Sequence, residues 1–397
     1  MKQLISPLIL LFLIIFSVAC SEKSVITTEQ EDSYSWQVVD SLTIAILGNP
    51  IMASVNNQGS LFTFYDFPSS EILVVDAKGS ILNRFSKTAD TPDNYGFMLD
   101  LPVVWGTDRL VQIGMNGIFI FDLKGNLIKK IDHPESIGGA ATMRLVGKSS
   151  KIVSRNGKEY ILMKSNRSRD THAGEQKFYD TYKALDLVEP ESEEMTELGP
   201  FESGSKFLDG KGYNQSDYAP AFEVSGDKLY IAHGSEQKMY IYDFSDDNTS
   251  LDTTISLDVP GFFEVGGKER KKFSEGGFSV NMSTAAIRNI HLVNDKVIIH
   301  YFPGIDPKIM DEARALYNEG KEEEGNNLYK KALEQSIPGV LIYDRSTLDY
   351  LGNMIFPSGT TTGGFVADDK FLYFQRAPAS DLEEDFLRVY KIKLEEE

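Results

Sequence analysis

A short phrase that returns along the chain constrains its fold more than any other feature. At residues 73–85 it reads Leu-Val-Val-Asp-Ala-Lys-Gly-Ser-Ile-Leu-Asn-Arg-Phe, and at 119–131 Phe-Ile-Phe-Asp-Leu-Lys-Gly-Asn-Leu-Ile-Lys-Lys-Ile. Each copy is an apolar strand, an Asp, a Lys-Gly turn and a second alternating strand, the signature of a β-hairpin. Looser copies end in Ala184-Leu185-Asp186, Ile241-Tyr242-Asp243 and Ile342-Tyr343-Asp344, and a worn one in Val389-Tyr390-Lys391. Successive copies lie 46, 64, 57, 101 and 47 residues apart, around the ~40–50 residues of a propeller blade.

Around this phrase the chain parses into four-stranded units at 50–85, 102–131, 151–198, 221–257 and 288–356, and a three-stranded sixth at 363–393. The third unit is the least regular, with strands expected at 151–154, 160–163, 179–187 and 195–198. The strand at 36–46 belongs to no unit. A ring closed by that N-terminal strand uses every strand once and leaves no free sheet edge. The expected fold is therefore all-β, a six-bladed β-propeller spanning 36–397. A pair of β-sandwiches also gives short strands at regular spacing, but sandwich strands have no reason to resemble one another.

At 306–336, inside the fifth unit, the apolar period changes from 2 to 3.6. Ile309, Ala313, Leu316 and Tyr317 share one helical face, Gly320 ends that helix, and Leu328, Ala332 and Leu333 line the next. The pair resembles a single tetratricopeptide helix hairpin. Such arrays need stacked copies to bury a core, so a lone pair is expected to pack onto its own propeller.

The N-terminus reads as a targeting segment. Lys2 precedes an apolar run at 7–16, too short for an ordinary membrane span, and Ser17-Val18-Ala19-Cys20 follows. This resembles a bacterial lipoprotein signal, although Ser17 stands where an aliphatic residue is usual. The resemblance implies a signal peptide at 1–19, lipidation of Cys20 and membrane attachment through its acyl chains (palmitate among them), with 20–35 as a polar tether. Ser21 after the Cys points to the outer membrane. The weakly acidic Ser21-Glu22-Lys23-Ser24 leaves open whether the protein faces the periplasm or the cell surface. Cys20 is the single cysteine, so no intrachain disulfide forms. A net charge of −19 with no basic, aromatic-interleaved stretch argues against nucleic-acid binding.

In an up-and-down blade the 1–2 and 3–4 turns lie on one face of the disc, and the 2–3 turns and inter-blade connections on the other. The first face is terse: Asn57-Gln58-Gly59, Ala77-Lys78-Gly79, Thr107-Asp108, Asn156-Gly157, Asn294-Asp295 and Asp368-Asp369. The long segments at 87–101, 133–142, 164–176, 200–218, 260–286, 306–336 and 377–385 all belong to the second. Long ordered loops in a compact domain are usually functional, so a bound molecule is expected there.

Six residues are candidates for that ligand face. His233 and His300 end the second strands of their units, and Arg376 holds the corresponding end in the sixth. Trp105, Tyr213 and Tyr218 supply aromatic faces for a sugar or peptide. No phosphate loop, metalloprotease helix or nucleophile elbow is present, and His133, His172, His233, His291 and His300 are not spaced as local metal ligands. The expectation is thus no catalytic residue, no metal and no cofactor. The alternative is a calcium-dependent, lactonase-like propeller hydrolase with oxygen ligands in the central channel, for which Asn56, Glu223 and Asn289 are the available donors.

The signal, Cys20, the tether and the Asp-x-Lys-Gly phrase together resemble a domain-of-unknown-function family of six-bladed propeller lipoproteins in Bacteroidota. The resemblance covers residue 36 to the C-terminus. It implies fold and envelope location and carries no catalytic residues. The function expected is a membrane-anchored envelope lipoprotein, non-catalytic, binding a small-molecule ligand or an envelope protein on its long-loop face.

Overall fold

In the computed structural model, residues 34–135, 137, 150–245, 249–275, 281–378 and 384–397 are described. The signal segment, Cys20 and the tether to residue 33 lie outside the described residues. The N-terminal strand β1 (Tyr34–Ala45) is followed by blade one, built of β2 (Ile51–Val55), β3 (Leu61–Asp66), β4 (Glu71–Asp76) and β5 (Ile81–Phe85). Blade two holds β6 (Val103–Trp105), β7 (Arg109–Gly114), β8 (Gly117–Asp122) and β9 (Leu127–Ile131). Blade three holds β10 (Lys151–Arg155), β11 (Lys158–Lys164), β12 (Leu185–Val188) and β13 (Met195–Leu198). Blade four comprises β14 (Pro220–Ser225), β15 (Lys228–His233), β16 (Lys238–Asp243) and β17 (Ser250–Ser256). Blade five comprises β18 (Ala286–Val293), β19 (Lys296–Phe302), β20 (Gly339–Asp344) and β21 (Tyr350–Ile355), and blade six β22 (Val366–Ala367), β23 (Leu372–Gln375) and β24 (Phe386–Glu396).

Each blade is a four-stranded antiparallel sheet, and the sixth has the order β1-β24-β23-β22. The N-terminal strand is thus the outer strand of the last blade, as the unpaired 36–46 segment requires. Its register runs from Tyr34 opposite Glu396 to Ala45 opposite Phe386, with one irregularity between Val38 and Asp40. The Trp36 indole donates to the Ile355 carbonyl at 2.8 Å and so ties this strand to blade five.

The middle strands are apolar on both faces because each blade is sandwiched between two others. Ile72, Leu73, Val74 and Val75 of β4 are all buried. Between blades four and five, Tyr230, Met239 and Ile241 meet Ile290, Val297 and Ile299 in one cluster. The fourth strands are more exposed, and in β5 (Ile-Leu-Asn-Arg-Phe) half-buried and exposed residues alternate.

The repeated Asp organises its turn. Asp76 accepts backbone N–H bonds from Lys78 and Ser80, both at 2.9 Å, and Asp122 accepts from Lys124 and Asn126, both at 2.8 Å. Asp344 does the same for Ser346 and Thr347 at 2.8 Å, and the Ser346 hydroxyl together with these amides pulls its carboxyl down to about 2. The Gly that follows has positive φ in both full copies, +84° at Gly79 and +81° at Gly125. A side chain at Gly79 would also meet the Thr43 carbonyl of the closing strand.

Two expectations are corrected. The strand expected over 179–187 is a helix, α1 (Gln176–Thr181), followed by β12. Phe178, Tyr179 and Tyr182 are spaced for one helical face and pack as such. The inserted hairpin is α2 (Pro307–Asn318) and α3 (Glu322–Gln335), capped by Asp306 and turned at Gly320 (φ +77°). It does pack on its own propeller, with Ile309, Met310, Tyr329 and Ala332 against Phe302 and Ile305. Leu333, however, is exposed. The inward stripe of α3 is Gly325, Leu328, Tyr329 and Ala332, one residue round from it.

Candidate functional site: the long-loop face

The connections between blades three, four and five fold over one another. Gly212 and Lys268 exchange two backbone hydrogen bonds of 2.8 Å, joining the blade 3–4 connection to the blade 4–5 connection. Arg270 reaches across to donate to the Gln176 side chain at 2.6 Å and lies 4.5 Å over the Tyr179 ring. Lys206 donates to the carbonyls of Ser235 and Val265 at 2.9 and 2.8 Å.

Beneath these contacts the loops have an aromatic core of their own. Tyr182 and Phe201 stack at 3.9 Å between centroids, and Tyr179, Phe207, Tyr213 and Tyr218 complete the cluster. His233 lies inside it, 5.2 Å from Phe201 and 5.9 Å from Tyr182. It is fully buried, beside the carbonyls of Pro200 and Tyr218 but outside hydrogen-bonding geometry. Desolvation lowers its pKa to about 4, so the ring is neutral at physiological pH.

Of the six sequence candidates, the structure therefore brings three together: Tyr213, Tyr218 and His233, all buried. Tyr213 donates its hydroxyl to the Asp209 carboxylate at 2.9 Å. His300 is separate, buried against Phe356 (4.7 Å) and Phe365 (5.8 Å), with its pKa far below normal through desolvation and the nearby Arg288. Arg376 is partly exposed and paired with Glu384. Trp105 ends β6 beside the Gly106–Asp108 turn, on the terse face, where it is buried with the Arg109 guanidinium 4.3 Å over its ring.

Ionic structure concentrates at blades two and three. Arg167 meets Asp186 at 3.0 Å, and Arg169 pairs with Glu197. Glu135 accepts from the backbone of Ser168 and Arg169 at 2.9 and 3.1 Å. Burial raises the Asp186 pKa, opposed by Arg167. Deeper, Lys164 faces Asp100 at 3.8 Å, both almost wholly buried. A cavity between His133, Arg167 and Asp186 has room for about one water (≈ 10 Å³).

The three oxygen donors available for a channel cation each have partners of their own. Asn56 is held by Ser60 and by the Gly106 carbonyl (both at 3.0 Å), Glu223 pairs with Lys151, and Asn289 accepts from the N–H of Ile290 at 2.9 Å. Among the described residues no three His, Cys, Asp or Glu side chains gather as metal ligands.

Two features escaped sequence reasoning. Arg288, the bulged residue of inner strand β18, carries no hydrogen bond or ion pair among the described residues. Its signal was a lone cation in the apolar run Ala285-Ala286-Ile287-Arg288. The other is an asymmetry of apolar exposure. Among the described residues, the large apolar side chains exposed outside the strands and the helical hairpin are Leu47, Phe97, Leu208, Phe263, Met282 and Ile337. All six belong to inter-blade or 2–3 connections, hence to the long-loop face.

Fold and loop arrangement define a six-bladed β-propeller closed by its N-terminal strand and elaborated on one face. The chain is similar to a member of the DUF4221 family from Bacteroides vulgatus, at 10% identity and a TM-score of 0.61, covering 93% of this chain and 100% of that one. It is also similar to a putative exported protein from Bacteroides fragilis, at 10% identity and a TM-score of 0.52, covering 91% and 95%. At such identities the likeness shows the fold alone. No protein-family model matches the sequence, and no curated protein does.

Proposed function

We propose that the protein is an envelope lipoprotein, anchored to the outer membrane through acylated Cys20, whose propeller binds a partner on its long-loop face without catalysing a reaction. The exposed apolar side chains on that face carry this reading. The Leu, Phe, Met and Ile side chains exposed in connecting segments share one side of the disc, where a docked partner would bury them. The loops that bear Leu208 and Phe263 are held by a packed aromatic core and by cross-loop hydrogen bonds, so that part of the face is pre-organised. A cavity that admits about one water favours a surface partner over an engulfed small molecule.

Hydrogen–deuterium exchange of the purified protein, alone and with solubilised envelope, tests this reading. Slow exchange at 200–219 and 260–275 in the free protein, slowed further by envelope, supports it. Free-coil exchange in both states contradicts it. The anchor is tested separately by metabolic labelling with an alkynyl palmitate, which Cys20→Ala is expected to abolish together with envelope retention.

A further inference from the structure

We propose that Arg288 is the receptor for a carboxylate, the anionic group through which the long-loop face holds its partner; the proposal rests on the reading of that face as a binding face. Three observations converge on this residue. The first is its backbone. Opposite β19, Ile287 pairs with Tyr301 and Asn289 with His300, and Arg288 between them is left without a partner. A bulge of this kind re-aims a side chain at the cost of a ladder bond.

The second is the guanidinium's surroundings. It lies 4.2 Å over the Phe302 ring, and its Nε is buried with no acceptor among the described residues. Burial lowers its pKa to about 10, with no neighbouring carboxylate offsetting the shift. In a chain of net charge −19, the other buried cations described above have acidic partners or bond backbone carbonyls. An arginine whose Nε is buried with no acceptor among the described residues is completed by an incoming anion.

The third is a built recess. Arg288 lines a small open cavity with Ser216, Asn281, Met282, Thr284 and Ala286. Ser216 is placed there by a close approach that only glycine permits. The Asn214–Asp217 turn lies over Gly234, where an added Cβ would stand 2.8 Å from the Ser216 carbonyl and 2.7 Å from that of Asp217. Asn281 is fixed through its N–H to Ser216 Oγ (2.9 Å) and through Oδ1, which accepts from Ser283 N–H (3.1 Å). Its amide NH₂ is left directed to no described acceptor. The recess is small (≈ 10 Å³), and the planar guanidinium offers parallel N–H donors that the two oxygens of a carboxylate can meet edge-on.

The test is isothermal titration of the full-length protein in chloride-free buffer with sodium acetate, with inorganic phosphate at equal ionic strength as the second probe. Saturable acetate binding in the wild type, tighter than phosphate and weakened about tenfold or more in Arg288→Gln, is the expected result. Arg288→Lys, which keeps the charge but loses the fork, is expected to fall between. Competition by a short peptide with a free C-terminus, absent for its amidated form, assigns the carboxylate to a peptide end. Competition by small dicarboxylates alone assigns it to an organic acid. No saturable acetate binding, equal binding in Arg288→Gln, or tighter phosphate binding overturns the proposal. If acetate fails while envelope still protects the loops from exchange, the carboxylate site falls and the binding face stands. If acetate binds but the loops exchange as coil, the binding face falls instead.

Discussion

Leu42 of the first strand lies opposite Val389 of the last, and both side chains are buried between blades six and one. The two ends of the chain thus share one sheet, and the ring's stability depends on a contact between residues almost 350 positions apart.

Truncating the closing strand should therefore behave as a core mutation, although the strand is terminal. Leu42→Ala and Ile44→Ala, each removing a buried side chain, are expected to cost about 2–5 kcal/mol in urea unfolding. Val39→Ala, at an exposed position on the same strand, should be nearly neutral. Equal effects at all three positions would mean that the strand is not seated in blade six.

Acid should destabilise the protein through its buried imidazoles. His233 is held neutral, with a pKa near 4 against 6.5 when free, so the unfolded chain binds the extra proton first as pH falls. Stability from this residue is full above pH 6.5 and declines to a loss of about 3 kcal/mol by pH 4. His300, lowered further, adds in the same direction. Asp100, Asp186 and Asp217 are raised by burial and act oppositely, contributing at low pH and less as pH rises. Comparing His233→Leu with wild type isolates the imidazole, and the variant should show a flatter stability profile between pH 6.5 and 4.

The Lys164–Asp100 pair should show strong coupling. Asp100 also accepts from the Ser150 N–H and hydroxyl, both at 3.1 Å, and Asn retains that acceptor while removing the charge facing Lys164. Asp100→Asn is expected to destabilise by about 3–5 kcal/mol, and the double variant Asp100→Asn/Lys164→Met by less than the two single changes summed. Additive costs in the double-mutant cycle would show that the two charges do not interact.

The repeated Asp should prove a scaffold residue. In Asp76→Ala and Asp122→Ala, the amides of Ser80 and Asn126 lose their side-chain acceptor and should exchange faster, with no effect on partner binding. A binding defect with unchanged exchange would assign the phrase a role in recognition.

Strand pattern and turn chemistry made the architecture legible, because the blades echo one hairpin whose Asp and Gly, in the two full copies, have a local backbone purpose. Closure was legible too, from a single strand left over in the count. The site was less so. Tyr213, Tyr218 and His233 read as ligand-facing because they sit at strand ends and in loops, yet loops of this length have cores of their own, and sequence position does not separate a residue inside such a core from one above it. Trp105 lies on the other side because it ends the first strand of its blade, directly before the Thr107-Asp108 turn of the terse face. Arg288 was hidden by its bulge: its meaning lies in a missing partner, which only the fold reveals.

The central claim, a binding surface confined to the long-loop face, is tested most directly by photo-crosslinking in intact cells. A photoreactive amino acid placed singly at Leu208, Phe263 or Phe97 should yield covalent adducts in the envelope fraction. The same probe at Lys124 or Lys78, on the terse face, should yield none. Adducts from the terse face, or from neither, would contradict it.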